Sequence, residues 1–206
     1  MLEDTSIKRA GNPPLVNRLK QKIFEVIGKP KRSKIDHDLR RQITNENFSI
    51  ICQNCIGGKI YHSLGRKFLS PTINMAFDGP DFIRFVTNLE KYLNRELVES
   101  VSREVNYPVG RIDDVEIQFV HYKTFEEAKE KWEDRKQRIN LNNIYVIATD
   151  RDGMGNEECM KAFDKLPYKK IMYTSKEYPE YEWSCYCSMW KHQFQVGVMT
   201  GYAGFT

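Results

Sequence analysis

Short apolar runs alternate with helical segments along most of this 206-residue chain, and this alternation limits the possible folds more than any other feature. Residues 48–52 and 144–148 are nearly continuous apolar runs, as in strands buried on both faces of a sheet. Further strands are predicted at residues 116–121 and 170–174, with helices at 57–64, 79–93, 124–138 and 157–166. The pattern predicts an α/β fold: a mainly parallel sheet with helices on both faces, in a Rossmann-like three-layer arrangement.

The N-terminal part of the chain differs in charge from the rest. Residues 1–47 hold eleven Lys/Arg and six Asp/Glu, a net charge of +5, whereas the whole chain carries +4. We therefore expect a basic arm at residues 1–44, with a short amphipathic helix at residues 16–27, followed by an α/β domain at residues 45–206. The arm suits an acidic partner or an anionic membrane surface, and it is equally compatible with a solvated lead-in.

The composition predicts a cytoplasmic protein. No run approaches the roughly 20 apolar residues that a membrane-spanning helix needs, and residues 1–12 lack the apolar core of a signal peptide. An odd number of cysteines, five, argues against a disulfide framework in such a chain. We expect reduced thiols, peripheral contact of the arm with the inner membrane face as an option, and no nucleic-acid partner.

The turn at residues 54–58 is the first candidate site. It joins the first predicted strand to a helix, so the thiol of Cys55 would lie near the positive end of the helix dipole, which favours a reactive thiolate. Backbone N–H groups around Asn54, Gly57 and Gly58 would then hold an oxyanion or a phosphate. The alternative is a small thiol in a tight turn, with the glycines serving the turn alone.

Two further polar residues follow predicted strands. In parallel sheets, ligands bind at the carboxyl ends of the strands, so His121 and Asp150 are expected near Cys55. His121 is the candidate general base and Asp150 the carboxylate that orients it. Arg135 and Arg138 lie three residues apart on a predicted helix, where they either bind a phosphate or carboxylate or belong to a solvated helix face.

No metal or redox centre is predicted. Cys52 and Cys55 form a Cys-x-x-Cys pair, but Cys52 belongs to the predicted strand. Cys185 and Cys187 are separated by one residue, whereas the cysteines of structural zinc sites are usually separated by two to four. The role of this second pair is left open.

Five motifs resemble those of a bacterial family known as domain of unknown function 1919. They lie in the family's order at residues 48–61, 70–72, 107–110, 119–122 and 131–140, and the resemblance covers about residues 45–175. It implies a protein of exopolysaccharide or capsule biosynthesis and makes Cys55, His121 and Arg135 motif positions. Ser70, in the second motif, is added as a substrate-binding candidate.

The resemblance leaves several reactions open. Some capsule acetyltransferases with an SGNH-hydrolase-like fold also have Asn-Cys at the first strand–helix turn, which favours a transferase that moves an acyl group through Cys55. Acyl-coenzyme A is the candidate donor, and a polysaccharide precursor or lipid-linked sugar is the acceptor. The alternatives are a glycosyl- or sugar-phosphate transferase of the same pathway and a non-catalytic carbohydrate-binding or assembly factor.

Overall fold

The computed structural model describes residues 32–101 and 104–197, which form a mixed α/β fold. In chain order, the strands are β1 (Ser49–Cys52), β2 (Val98–Glu99), β3 (Val109–Ile112), β4 (Val115–Gln118), β5 (Ile144–Thr149), β6 (Lys169–Thr174) and β7 (Ser184–Tyr186). The helices are α1 (residues 32–42), α2 (Ile56–Leu64), α3 (Gly79–Thr87), α4 (Leu89–Leu93), α5 (Phe125–Lys136) and α6 (Glu157–Asp164), with a 3₁₀ turn at Ser188–Trp190. The helix predicted within the first 31 residues lies outside the described residues.

Four strands form the parallel sheet that the sequence predicts. Their order is β1-β5-β6-β7, and the register places Ile51 beside Val146 and Ala148 beside Met172. Side chains of β1, β5 and β6 contribute to two buried clusters, one including residues of α3, α5 and α6 and the other including residues of α2. Helices therefore pack on both faces, while the Rossmann-like arrangement stays a prediction.

A second sheet corrects the prediction for residues 116–121. Strands β2, β3 and β4 form an antiparallel sheet separate from the parallel one. A tight turn joins β3 to β4, with Asp113 in the left-handed region at a φ of 50°. The alternation of apolar and polar residues indicated a strand correctly, but it carries no information about which strand is the partner.

Strand β1 lies at the edge of the parallel sheet, and side-chain hydroxyls bond its outer backbone groups. The Tyr61 hydroxyl accepts from Ile50 N at 3.0 Å and donates to the Phe48 carbonyl at 3.1 Å. Thr72 Oγ1 accepts from Cys52 N at 2.9 Å. These bonds satisfy buried backbone groups for which no neighbouring strand is present among the described residues.

Helix α5 begins where its sequence predicts. Thr124 is the N-cap, and its hydroxyl accepts from Glu127 N at 3.2 Å, as expected for a capping box. Trp132 is completely buried on the inner face. The last turn carries Arg135, which contacts the Ile73 carbonyl in the segment that follows α2. Within the described ranges, no helix is long and apolar enough to cross a membrane.

Candidate functional site

Amide side chains join the carboxyl ends of β1 and β5. Gln53 is completely buried, and its Oε1 accepts from Thr149 N at 3.0 Å while its Nε2 donates to the Arg151 carbonyl at 2.9 Å. Asn54 Nδ2 donates to Thr149 Oγ1 at 3.1 Å, and its Oδ1 accepts from Ile56 N at 3.2 Å. Both polar ends of the Asn54 side chain therefore form hydrogen bonds within the protein, and its role in binding substrate stays a prediction.

Cys55 lies half-buried at the N-cap of α2, with Sγ 3.7 Å from the Met75 carbonyl. Burial raises the pKa of its thiol to about 11, and this outweighs the lowering effects of its own backbone N–H, of Lys59 and of Arg151. The position at the start of the helix is as predicted. Burial opposes the thiolate that this position was expected to favour.

Gly57 and Gly58 lie where the backbone of α2 packs closely on its neighbours. A Cβ atom at Gly57 would lie 3.0 Å from Cys52 Cβ, and one at Gly58 would lie 3.3 Å from Ile73 Cγ2. Burial raises the pKa of Cys52 to about 12, although backbone N–H groups at the start of α2 act on its sulfur and lower it. Both glycines thus allow close packing of α2, and their predicted role in holding an oxyanion stays a prediction.

Asp150 lies at the carboxyl end of β5 and is 7% exposed. One carboxylate oxygen accepts from the backbone N–H and the hydroxyl of Ser175, each at 2.7 Å, and the other accepts from Val196 N at 2.7 Å. These bonds hold the segments after β6 and β7 against the sheet. Because both oxygens are engaged in this way, the structure does not support its predicted role of orienting His121.

Ser70 has no exposed surface, so its predicted role in direct contact with substrate is not supported. Its hydroxyl lies 3.0 Å from Thr72 Oγ1 and also accepts from Thr72 N at 3.2 Å. The second motif therefore positions the threonine that bonds the outer edge of β1.

His121 is exposed in a turn that follows β4. Since β4 belongs to the antiparallel sheet, His121 does not end a strand of the parallel sheet as expected. Among the described residues, no hydrogen bond joins His121 to Cys55 or Asp150. The three residues predicted to act together are therefore not assembled by direct contact.

The neighbouring Tyr122 is buried and joins two parts of the chain. Its hydroxyl donates to the Ile73 carbonyl at 3.0 Å and accepts from Arg135 Nη1 at 2.6 Å. Arg135 Nη1 also lies 3.4 Å from the same carbonyl, and the guanidinium carbon is 5.3 Å from the centre of the Phe68 ring. No carboxylate among the described residues lies within ion-pair distance of Arg135. Arg138, in contrast, is paired with Asp134.

Residues 73–75 connect these groups. The Ile73 carbonyl contacts Tyr122 and Arg135, and the Met75 carbonyl contacts the Cys55 thiol. Two residues of extended chain span at most about 7 Å, so these two contacts are close together. Asn74, between them, is exposed and adopts a φ of 62°.

Sequence reasoning missed four residues that shape this region: Gln53, Lys59, Tyr122 and Arg151. Gln53 and Tyr122 lie inside motifs that had been noticed, yet their importance comes from contacts with residues distant in the chain. A polar glutamine directly after an apolar strand was a usable signal, because such a side chain is seldom buried without hydrogen-bond partners.

The described residues contain no group of three or more His, Cys, Asp and Glu side chains arranged to hold a metal ion. All five cysteines are free thiols. Burial raises the pKa of Cys187 to about 11, and its Sγ lies 3.7 Å from the carbonyl of Cys185.

Comparison with known sequences gives two matches. A family model described as Domain of unknown function (DUF1919) matches residues 26–206, a wider range than the motifs alone indicate. An uncharacterized protein of Haemophilus influenzae is 38% identical over 186 residues, which cover 90% of this chain and 89% of the relative. The family model extends across the turn of Cys55, helix α5 and the segments that follow β7.

Proposed function

We propose that this chain, which belongs to the DUF1919 family, is a transferase of bacterial exopolysaccharide or capsule biosynthesis that moves an acyl group through Cys55. One observation carries the proposal. The half-buried Cys55 thiol follows the end of β1, where the cations Lys59 and Arg151 both act on its charge. Positive charge favours a thiolate and the anionic tetrahedral intermediate of acyl transfer.

In the proposed reaction, the Cys55 sulfur attacks the acyl carbon of a thioester donor such as acyl-coenzyme A. The carbon–sulfur bond of the donor breaks, and the departing thiolate takes up the proton that Cys55 lost. A hydroxyl of the polysaccharide precursor then attacks the acyl carbon of the new thioester. The bond between that carbon and the Cys55 sulfur breaks, and the released thiolate takes up the proton that the hydroxyl lost. Burial raises the pKa of the Cys55 thiol to about 11, so the first step needs a base. The second step needs a base for the hydroxyl proton, and the exposed His121 is the proposed base for both.

The acyl-enzyme provides the test. The full chain is incubated with acetyl-coenzyme A and examined by intact-protein and peptide mass spectrometry. We expect an acetyl adduct on Cys55 in the wild type and in Cys159→Ser, and none in Cys55→Ser. Cys159 is a matched control because burial also raises the pKa of its thiol. Transfer that survives in Cys55→Ser would refute the proposed nucleophile.

The raised pKa makes a separate prediction about reactivity. In the free protein, alkylation of Cys55 by iodoacetamide should be slow at pH 7 and should rise about tenfold per pH unit towards a pKa of about 11, because the thiolate is the reacting species. The rate is measured by peptide mass spectrometry between pH 7 and 10. A rate that is already constant at pH 8 would show that the thiolate forms without a base.

A second reaction is favoured by Arg135, which has no carboxylate partner among the described residues. A glycosyl- or sugar-phosphate transferase of the same pathway would use such a cation to hold the phosphates of a lipid-linked or nucleotide-linked sugar. Stabilisation of the protein by nucleotide sugars in thermal melts, without acylation of Cys55, would favour this reaction.

The high pKa of Cys55 also suits a non-catalytic carbohydrate-binding or assembly factor. In that case the basic arm would contact the inner membrane face beside the precursor. Expression of a Cys55→Ala, His121→Ala double variant in a deletion strain separates this role from catalysis. Full restoration of the polysaccharide would favour binding, and its loss in a stably folded variant would favour catalysis.

A further inference from the structure

Arg135 is held rigidly by one end of its guanidinium group. Nη1 donates to the Tyr122 hydroxyl at 2.6 Å and lies 3.4 Å from the Ile73 carbonyl, while the Phe68 ring packs 5.3 Å from the guanidinium carbon. Tyr122 is itself fixed, because it is buried and donates to the Ile73 carbonyl. The conformational entropy that a long side chain usually loses on binding a ligand is therefore already lost in part.

The other edge of the guanidinium group remains open. Nε and Nη2 carry three N–H donors, and no acceptor among the described residues bonds to them. These atoms are also absent from the buried nitrogens that lack a partner, which are Arg66 Nε and Trp132 Nε1, so they retain contact with solvent. Nε and Nη2 project parallel N–H bonds from one side of the planar group, the geometry that binds two oxygens of a phosphate or carboxylate.

Arg138 shows that this arrangement is particular to Arg135. It lies on the next turn of the same chain segment, and its guanidinium group pairs with Asp134. Arg135 and the candidate nucleophile also contact the same short segment. The Ile73 and Met75 carbonyls, which contact Arg135 and Cys55 respectively, belong to residues separated by at most about 7 Å of extended chain.

We propose that the Nε–Nη2 edge of Arg135 binds a phosphoryl group of the precursor while the reacting part of that precursor lies at Cys55. The identification of the ligand as a biosynthetic precursor rests on the proposed function, whereas the binding of a phosphoryl group is measured without it. A diphosphate can engage this edge through two oxygens. Its source is either a nucleotide sugar or a lipid-linked sugar.

Titration calorimetry of the full chain with inorganic pyrophosphate at low ionic strength tests the site. We expect measurable binding by the wild type, and binding weaker by about tenfold or more in Arg135→Gln and Arg135→Lys, because lysine keeps the charge but lacks the paired donors. Arg138→Gln is the matched control and should bind within about twofold of the wild type, since its partner is Asp134. Failure of the wild type to bind, or equal binding by Arg135→Lys, would overturn the proposal.

Two further measurements control for misfolding of the arginine variants and identify the source of the phosphoryl group. Tyr122→Phe removes the hydroxyl that fixes Nη1 and should weaken binding in a protein that still melts cooperatively, so the test does not depend on the arginine variants alone. A nucleoside diphosphate sugar and a prenyl diphosphate in detergent micelles are then compared in the wild type and Arg135→Lys. If one of these two ligands binds the wild type more tightly than the other, and this binding is lost in Arg135→Lys, that ligand identifies the source of the phosphoryl group and supports the proposal.

The same variants distinguish this inference from the proposed function. Cys55→Ser should bind pyrophosphate as the wild type does, because the thiol is not a phosphate ligand. If binding depends on Arg135 but no acyl group reaches Cys55, the acyl-transfer proposal fails and the phosphoryl site stands. If Cys55 is acylated but pyrophosphate affinity is the same in the Arg135 variants as in the wild type, the phosphoryl-site proposal fails and the acyl-transfer proposal stands.

Discussion

At the residue scale, the most informative polar groups of this protein are those that already form hydrogen bonds within the protein. Asp150 resembles a catalytic carboxylate in sequence, since it follows a buried strand of an α/β fold. In the structure, it accepts three hydrogen bonds from Ser175 and Val196. A buried carboxylate bonded in this way stabilises the fold, because its removal would leave several donors without an acceptor.

Replacement of Asp150 by asparagine should lower the free energy of unfolding by roughly 2–4 kcal/mol, because an amide nitrogen would face a backbone or hydroxyl donor. Urea denaturation followed by circular dichroism measures the loss. Asp152→Asn is the control: Asp152 lies 3.7 Å from Arg151 in a partly exposed ion pair, which should be worth less than about 1 kcal/mol. Wild-type stability in Asp150→Asn, together with lost activity, would instead restore the catalytic role.

At the scale of the elements, α2 and β1 are joined more closely than their apolar contacts alone would require. Gly57 allows the helix to approach Cys52 on the strand, and the Tyr61 hydroxyl reaches the outer backbone groups of Phe48 and Ile50. The position of Cys55 at the start of α2 depends on this packing. Tyr61 thus belongs to the support of the site although it contacts none of the proposed catalytic groups.

Tyr61→Phe should cost about 1–3 kcal/mol of unfolding free energy, because Ile50 N and the Phe48 carbonyl lose a buried partner. Tyr145→Phe provides a comparison on the same sheet, since the Tyr145 hydroxyl makes one exposed bond with Lys169, and its loss should cost less than about 0.5 kcal/mol. Chemical denaturation of both variants tests the difference. Equal costs would mean that the hydroxyl bonds to β1 contribute little.

At the scale of the whole molecule, buried thiols link stability to pH. Burial raises the pKa of Cys52 to about 12 and those of Cys55 and Cys187 to about 11, from about 9 in the unfolded chain. A raised folded-state pKa favours the protonated, folded form. The resulting stabilisation is complete below pH 9 and is lost as the pH rises through 11 to 12, because the unfolded chain releases these protons first.

We therefore expect the urea midpoint to be steady between pH 7 and 8.5 and to fall progressively above pH 9 in the presence of a reductant. Each thiol contributes a slope of at most about 1.4 kcal/mol per pH unit. Cys52→Ala should be less stable at neutral pH, owing to the cavity, but should show a shallower alkaline loss. A slope identical to that of the wild type would show that Cys52 does not titrate with a raised pKa.

The sequence predicted individual helices and strands well, because caps, apolar runs and glycine turns are determined by residues that are close together in the chain. The capping residue Thr124, the β1 strand and the helix after Gly57-Gly58 all lie where the sequence indicated. The antiparallel sheet was missed because strand pairing depends on residues far apart in the chain. The hydrogen bonds of Asp150 and Asn54 were missed for the same reason. The partner of Asp150, Ser175, lies 25 residues away, and the partner of Asn54, Thr149, lies 95 residues away.

The hydroxyl groups along β1 also bear on how this protein behaves at high concentration. An open strand edge offers N–H and carbonyl groups that can recruit a strand from another molecule and begin aggregation. Here the Tyr61 hydroxyl binds Ile50 N and Thr72 Oγ1 binds Cys52 N. Two side chains therefore shield one side of the parallel sheet from intermolecular pairing, and a variant that lacks either hydroxyl exposes a template for self-association.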